Sequence, residues 1–274
     1  MPSNNDSTRD FKQLVWEFYE KNKRVLPWRN VNNPYEIFIS EVMLQQTQVQ
    51  RVIPKYDNWV REFPDFKILS QASLQKVILF WSGLGYNRRA KFLLDSARII
   101  STEWKGAIPQ DPELLIQLPG IGKATAASIV VFSYNKPIPL IETNIRRVFI
   151  HEFFKSNNNV TDKQILELVI KTLDYNNPRN WYYALMDYGA YLGRTVPNPN
   201  RRSKMYTRQS TFEGSPRQVR GEILRILTSG PVLEKVLKKK IKGNTLHFQK
   251  ALEQLLTESF LEKNGDTIQI KDHE

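Results

Sequence analysis

The chain has 274 residues, 41% of them hydrophobic and 25% charged, with 40 Lys and Arg against 28 Asp and Glu. That composition fits a soluble globular protein of one large or two unequal domains, and the formal net charge of +12 points to a polyanionic partner. No apolar run reaches the ~18 residues that a membrane span needs, so no membrane association is expected. The sequence holds no cysteine, which excludes disulfides, thiolate nucleophiles and cysteine-ligated zinc or iron–sulfur clusters. His151, His247 and His273 lie far apart, so no metal and no cofactor are expected.

The opening "MPSNNDSTRD" is polar, carries no apolar signal region, and reads as a disordered lead over residues 1–8 of a cytoplasmic protein. "DFKQLVWEFYEKN" then places Phe11, Leu14, Val15 and Phe18 at helical spacing, and "LPWRNVNNPY" breaks that helix with prolines and asparagines. A helix from Tyr35 to about Val52 follows, and it carries Glu41 amid Ile37, Phe38, Ile39, Val42, Met43 and Leu44. A carboxylate in that company is costly to bury unless something pairs it or uses it. Further helices are predicted at about 55–63, 73–81, 87–103, 112–117, 123–134, after Thr143, and at about 162–173 and 178–192. The main body, residues 9–193, is therefore mainly α.

Residues 194–216 are rich in Pro, Asn and basic side chains, including Arg201, Arg202 and Lys204, and read as a basic loop or linker with little to bury. Residues 217–274 look like a separate module. "RQVRGEILRIL", "PVLEKVLKKKI" and "NTLHFQKALEQLLTESF" are three helices, the last capped by Asn244 or Thr245, and "LEKNGDTIQI" is a hairpin turning at Asn264-Gly265. Three helices and a hairpin is the order of a small winged helix-turn-helix, with the third helix presented to a groove.

Two stretches carry chemistry. In "LPGIGKATAASIV", Gly120 and Gly122 permit positive φ and close backbone approach, the following helix start offers free N–H groups, and Lys123 adds charge at the same point. These are the parts needed to grip a DNA phosphate without reading sequence. Downstream, "PLIETNIRRVF" sets Glu142 at the start of a helix, where a carboxylate favours the helix dipole.

Together, "LPWR", "SEVMLQQTQV", "FWSGLGYNRRA", "LPGIGKATA", "NIRRV" and "ALMDYGA" resemble the helix-hairpin-helix (HhH-GPD) DNA glycosylases, and within them the MutY-like adenine DNA glycosylase branch. The resemblance runs from about residue 8 to about residue 193. It implies two helical lobes with duplex DNA across the cleft and a flipped base in a pocket. It casts Glu41 as the acid that protonates the purine and Glu142 as the anion that stabilises the sugar cation, in place of the family's aspartate. Trp28, Arg29, Leu44 and Asp187 fall at base-pocket positions. Gln45, Gln46, Thr47, Leu84 and Tyr86 fall at DNA-facing positions, with Tyr86 as a wedge between bases, and Gly120, Gly122, Lys123 and Thr125 form the phosphate grip. The relatives' four cluster cysteines are missing, and the loop with Arg201, Arg202 and Lys204 takes over their DNA contact. Ala124 stands where bifunctional relatives have a lysine, so a monofunctional enzyme is expected.

The resulting expectation is a monomeric, nucleoid-associated base excision repair glycosylase acting on duplex DNA with a mismatched or damaged base, most naturally a mispaired adenine. Two alternatives are a glycosylase for another base (mismatched thymine, a uracil-type pyrimidine or a deaminated purine) and a non-catalytic DNA-binding regulator. The chemistry is self-consistent. Burial raises a carboxylic acid's pKa for proton donation near neutral pH, and a developing sugar cation needs a fixed anion. Two carboxylates in differently polar settings can divide those tasks.

Overall fold

The computed structural model describes residues 4–208, 212–241 and 245–271. In chain order the elements are α1 (Asn4–Asn22), a 3-10 turn at Pro27–Arg29, α2 (Pro34–Leu44), α3 (Val49–Glu62), α4 (Phe66–Ser70), α5 (Leu74–Trp81), α6 (Arg88–Glu103), α7 (Pro112–Leu115) and α8 (Lys123–Tyr134). There follow α9 (Thr143–Phe153), α10 (Asp162–Thr172), α11 (Pro178–Thr195), a 3-10 turn at Pro199–Arg202, α12 (Pro216–Leu227), β1 (Val232–Leu233), α13 (Glu234–Lys240), α14 (Thr245–Thr257), β2 (Leu261–Asn264) and β3 (Thr267–Ile270). Local sequence sets many of the starts. Asp65, Ser73, Asp111, Thr161 and Ser215 each accept a hydrogen bond from a first-turn amide, and Thr161 with Gln164 forms a full capping box.

The chain divides into two compact units. Unit 1 is Met1–Ile37, Gln110–Ile116 and Gly122–Arg208. Its core gathers Phe11, Val15, Val131, Phe149, Trp181 and Leu185, with Phe132 stacked on Tyr183 at 4.7 Å. α11 reaches the first turn of α9 because residue 189 is glycine. A Cβ there would stand 2.4 Å from the Asn144 carbonyl oxygen.

Unit 2 is Phe38–Pro109, Gln117–Ile121 and Gln209–Glu274. Trp59 packs against Phe63 and Trp81, and Phe38 against Phe66. The C-terminal residues join this unit instead of standing alone. α12 packs on α14 and on α5, and the sheet has the order β1-β3-β2, all antiparallel, with Ile268 opposite both Val232 and Lys263.

Four expectations change. The lead was read as disordered over residues 1–8, yet α1 begins at Asn4, since a helix anchored by buried Phe11 and Val15 propagates back into residues whose polarity opposes nothing; residues 1–3 lie outside the described residues. The single helix over 35–52 is two, broken where Gln46 takes φ +53°. β1 precedes α13 where only helix was expected, because pairing with β3 satisfies its backbone. Asn244, the expected cap, and His273 lie outside the described residues, as do residues 209–211 of the linker.

The fourth concerns that linker. Its first half is ordered and partly buried: Asn200 and Ser203 are 6% exposed, and Ser203 bridges Val160. The Asn200 amide donates to the Thr143 carbonyl at 3.0 Å, and the Arg202 guanidinium donates to the carbonyls of Phe154, Lys155 and Ile150 at 2.5, 2.5 and 3.2 Å. Polar side chains thus bury this segment by hydrogen-bonding backbone carbonyls at both ends of α9, a route invisible to a count of apolar residues.

Candidate active site and nucleic-acid interface

Glu142 is the N-cap of α9 in unit 1. Its Oε1 accepts from the amides of Asn144 at 2.7 Å and Ile145 at 2.8 Å, and its Oε2 accepts from Asn144 Nδ2 at 3.2 Å. Asn144 is held in turn, since Arg147 Nη1 donates to its Oδ1 at 2.8 Å and to the Gly189 carbonyl at 2.7 Å. The extra methylene relative to aspartate has not removed the carboxylate from the helix start. The crowding of protein around Glu142 pushes its pKa up, against the two amides, Arg147 and Arg146, which pull it down. The result is a carboxyl group held at the helix start by backbone amides, in surroundings whose burial disfavours its charge. Asn144 and Arg147 were not singled out from sequence, although both lie within the "NIRRV" motif.

Asp187, expected at a base-pocket position together with Arg29, is paired with that arginine. Its side chain is 1% exposed and its oxygens are taken up by Arg29 Nη1 at 2.8 Å and Nη2 at 2.7 Å, by Arg24 Nε at 2.5 Å and by the Arg24 amide at 2.8 Å. Burial alone would raise its pKa, but the hydrogen bonds and charges of Arg29 and Arg24 outweigh burial and hold the carboxyl below its ordinary value. Arg29 also lies over the Tyr183 ring at 4.5 Å. Trp28 is 4% exposed. Asp187 and Arg29 therefore lock α11 to the segment after α1.

In unit 2, Glu41 stands partly buried near the end of α2 beside Ser40, Val42 and Met43, which are all less than 5% exposed, and Leu44 is half-buried. The turn that follows is tied down by a residue the sequence reading passed over. Arg89 on α6, 8% exposed, donates to the carbonyls of Val42 at 2.8 Å, Met43 at 2.9 Å and Gly85 at 3.1 Å, and to Thr47 Oγ1 at 2.8 Å. Burial drops its pKa to about 10. Thr47 Oγ1 also donates to the Leu84 carbonyl at 3.2 Å. One arginine thus joins the C-terminus of α2, the Gln46–Thr47 turn and the Leu84–Tyr86 loop. Its signal was in the sequence, because Arg89 shares the helical face of Leu93, Ser96 and Ile100.

Both joined loops carry a non-glycine residue in the left-handed region, Gln46 at φ +53° and Tyr86 at φ +48°. Such strain persists only where the surroundings over-determine it, and it concentrates at functional sites. Gln46 is exposed and Tyr86 half-buried. Leu84, expected to face DNA, is 2% exposed and belongs to the core. Its apolar side chain closes the loop from inside while its carbonyl serves Thr47.

The hairpin is built asymmetrically. Gly120 has φ +75°, and a Cβ on it would fall 2.7 Å from Phe92 Cδ2. Gln45 Nε2 donates to its carbonyl at 3.2 Å. Gly122, which could also take positive φ, has φ −91° and nothing within 4 Å of a would-be Cβ. It is the N-cap of α8, exposed, with exposed Lys123 next and half-buried Thr125 in the first turn. Gly120 is required by the fold, whereas Gly122 leaves open space at a helix start. Arg201 and Lys204 are exposed, in contrast to Arg202 on α9. Among the described residues no group of three acidic, histidine or cysteine side chains could hold a metal, and no helix is long and apolar enough to cross a membrane.

Residues 39–173 match the family described as HhH-GPD superfamily base excision DNA repair protein. The chain is 30% identical over 285 residues to an adenine DNA glycosylase of Mycobacterium tuberculosis (strain CDC 1551 / Oshkosh), a match covering 94% of this chain and 91% of that protein. The chain belongs to the HhH-GPD superfamily. An adenine DNA glycosylase of Mycolicibacterium smegmatis is 31% identical over 274 residues, with 92% of each chain covered. One from Buchnera aphidicola subsp. Baizongia pistaciae is 37% identical over 191 residues, 68% of this chain and 54% of that protein. The chain thus spans about half the length of the Buchnera relatives it matches. Among solved structures, a thermostable thymine-DNA glycosylase superposes with a TM-score of 0.65 at 24% identity, over 74% of this chain and 92% of that one. At that identity the likeness shows a shared fold.

Proposed function

We propose that the protein is a monofunctional DNA glycosylase of base excision repair that hydrolyses the N-glycosidic bond of a mispaired adenine flipped out of duplex DNA. The observation that carries this reading is Glu142, a carboxylate anchored by two backbone amides and an asparagine. When ionised it is an anion fixed in advance of the reaction, as a developing sugar cation requires. Similarity to proteins named adenine DNA glycosylase over more than nine-tenths of the chain supports the choice of base.

In this reading Glu41 protonates the purine ring, which turns the base into a neutral leaving group. The C–N bond then breaks, Glu142 stabilises the oxocarbenium-like sugar, and water completes the hydrolysis. Gly122, Lys123 and Thr125 hold a phosphate at the start of α8. Gln45, Gln46 and Thr47, with the Tyr86 ring, face the strand opposite the target, and Arg201 and Lys204 add phosphate contacts. Ala124 supplies no amine for a Schiff base, so strand cleavage by β-elimination is absent. The C-terminal residues form a winged-helix-like module, and the protein acts as a monomer in the cytoplasm on the nucleoid.

A panel of duplexes tests this: adenine opposite 8-oxoguanine, adenine opposite guanine, thymine or uracil opposite guanine, and hypoxanthine opposite thymine, each followed by alkali. Breaks confined to adenine strands, lost in Glu41→Gln with binding retained, are expected. Breaks only at pyrimidines would move the substrate to another base, and binding without breaks would point to a regulator.

A further inference from the structure

The C-terminal module meets the rest of unit 2 through polar contacts, and one of them falls on Tyr86. Arg217, at the start of α12, donates from Nη1 to the Tyr86 hydroxyl at 2.9 Å across 131 residues of sequence. Its guanidinium carbon lies 5.7 Å from the Tyr86 ring centroid, and that of Arg89 lies 5.6 Å from the same centroid. One turn further along α12, Arg220 binds Glu258, and the same carboxylate takes Arg88, two residues after Tyr86. Gln75 Nε2 caps the Thr228 carbonyl at 3.0 Å. Arg88, Arg220 and Glu258 thus fix α12 beside the Tyr86 loop, and Arg217 reaches the ring from that fixed base.

The outward face of α14 argues against a module that works mainly by reading a groove. Among its described side chains Gln249, Lys250, Glu253, Gln254 and Thr257 are exposed, with one cation against one anion, and Gln249 donates to Glu253 at 3.0 Å. A helix that binds phosphates and base edges needs a positive surface. The basic run Lys238–Lys240 is exposed on α13 instead.

We infer that Arg217 is a positioning residue for Tyr86, through which the C-terminal module sets how the protein reads the base opposite its target. This rests on the function proposed above, which places Tyr86 at the opposite strand. The ring is half-buried, strained at φ +48°, flanked by two guanidinium groups and hydrogen-bonded through its hydroxyl. A ring so constrained is a rigid stacking platform, and rigidity turns stacking into discrimination between partner bases. The hydroxyl bond makes that rigidity depend on α12.

The test is a double-mutant cycle with the full chain: wild type, Arg217→Ala, Tyr86→Phe and the double variant. Two quantities are read, single-turnover excision of adenine opposite 8-oxoguanine, guanine and cytosine, and affinity for duplexes carrying an abasic-site analogue opposite those same bases. Arg217→Ala is expected to lower the preferred rate or affinity about tenfold while compressing the spread between partner bases. Tyr86→Phe should do the same, the double variant should be no worse than either, and Arg217→Lys should recover part of the loss. Additive losses, or an equal loss against every partner base, would overturn the inference. Failure of all base excision would instead refute the proposed function, and the affinity cycle would still decide the Arg217–Tyr86 coupling. Thermal unfolding of each variant identifies any that fails to fold, in which case Arg217→Lys against Tyr86→Phe provides the cycle.

Discussion

The two hairpin glycines should fail in different ways when each is replaced by alanine. At Gly120 the backbone sits at φ +75° and the new methyl would meet Phe92 Cδ2 at 2.7 Å, Cβ at 3.2 Å and Cγ at 3.3 Å. The left-handed conformation costs an L-residue ~1–2 kcal/mol. Overpacking against a ring that must give way adds ~1–3 kcal/mol. Gly120→Ala should therefore lose ~2–5 kcal/mol, which for a chain of this size lowers Tm by roughly 5–15 °C. At Gly122 the backbone is at φ −91° with open space around it. Alanine is a poorer N-cap by about 0.5–1 kcal/mol, and the stiffer unfolded chain returns a similar amount. Gly122→Ala should leave Tm within a few degrees yet weaken duplex binding several-fold, because its methyl occupies the space through which a phosphate reaches the α8 amides. Calorimetry and anisotropy titration on one undamaged duplex read both effects. Equal Tm losses, or a Gly122→Ala protein that binds as tightly as wild type, would refute the division between a glycine required by folding and one required by the ligand.

Four further outcomes follow from charge. Asp187→Asn strips a buried carboxylate from Arg24 and Arg29 and should cost about 3–5 kcal/mol. Because the folded-state pKa of Asp187 is depressed, the stability it contributes is fully present above the unfolded value of about 3.9 and is lost as pH falls through the folded value, so the gap in denaturant unfolding between wild type and variant should be flat from pH 5 to 8 and shrink in acid. Glu142 has the opposite sign: its raised pKa gives stability that is complete below the unfolded value and lost as pH rises through the folded one. Glu142→Gln should accordingly be at least as stable as wild type near pH 8, with the difference closing near pH 4, while excision disappears; a variant less stable at pH 8 would refute burial as the dominant influence. Arg202→Ala should lose about 1.5–3 kcal/mol through the α9 carbonyls with little change in DNA affinity. Arg201→Ala and Lys204→Ala should do the reverse, each reducing the salt-dependence slope of binding by about one.

How much of this was legible in the sequence depended on whether the cause was local. The helices of the main body, the hairpin turn and the carboxylate at the start of α9 could be read because capping residues, glycines and apolar spacing act within a few residues of themselves. The break at Gln46 could not. Nothing between Tyr35 and Val52 forbids a continuous helix, and the turn exists because Arg89, more than forty residues on, captures the carbonyls of Val42 and Met43 and the hydroxyl of Thr47. The burial of Leu84 and Asp187 was not legible for a related reason. A motif match fixes a position in the chain, whereas burial at 2% and 3% exposure is a property of everything packed around it.

By itself the sequence determined that the protein is helical, basic and free of cysteine, that it carries a glycine hairpin and two candidate carboxylates, and which family it resembles, because composition, periodicity and local backbone preference need no partner to act. Only the tertiary structure decided which groups are engaged and which remain open: Asp187 with Arg24 and Arg29, Arg202 on the end of α9, Gly120 against Phe92, and Arg217 on Tyr86. Those pairings join residues tens to more than a hundred positions apart, and hydrogen bonds and van der Waals contacts act only over a few ångströms, so it is folding that chooses the partners.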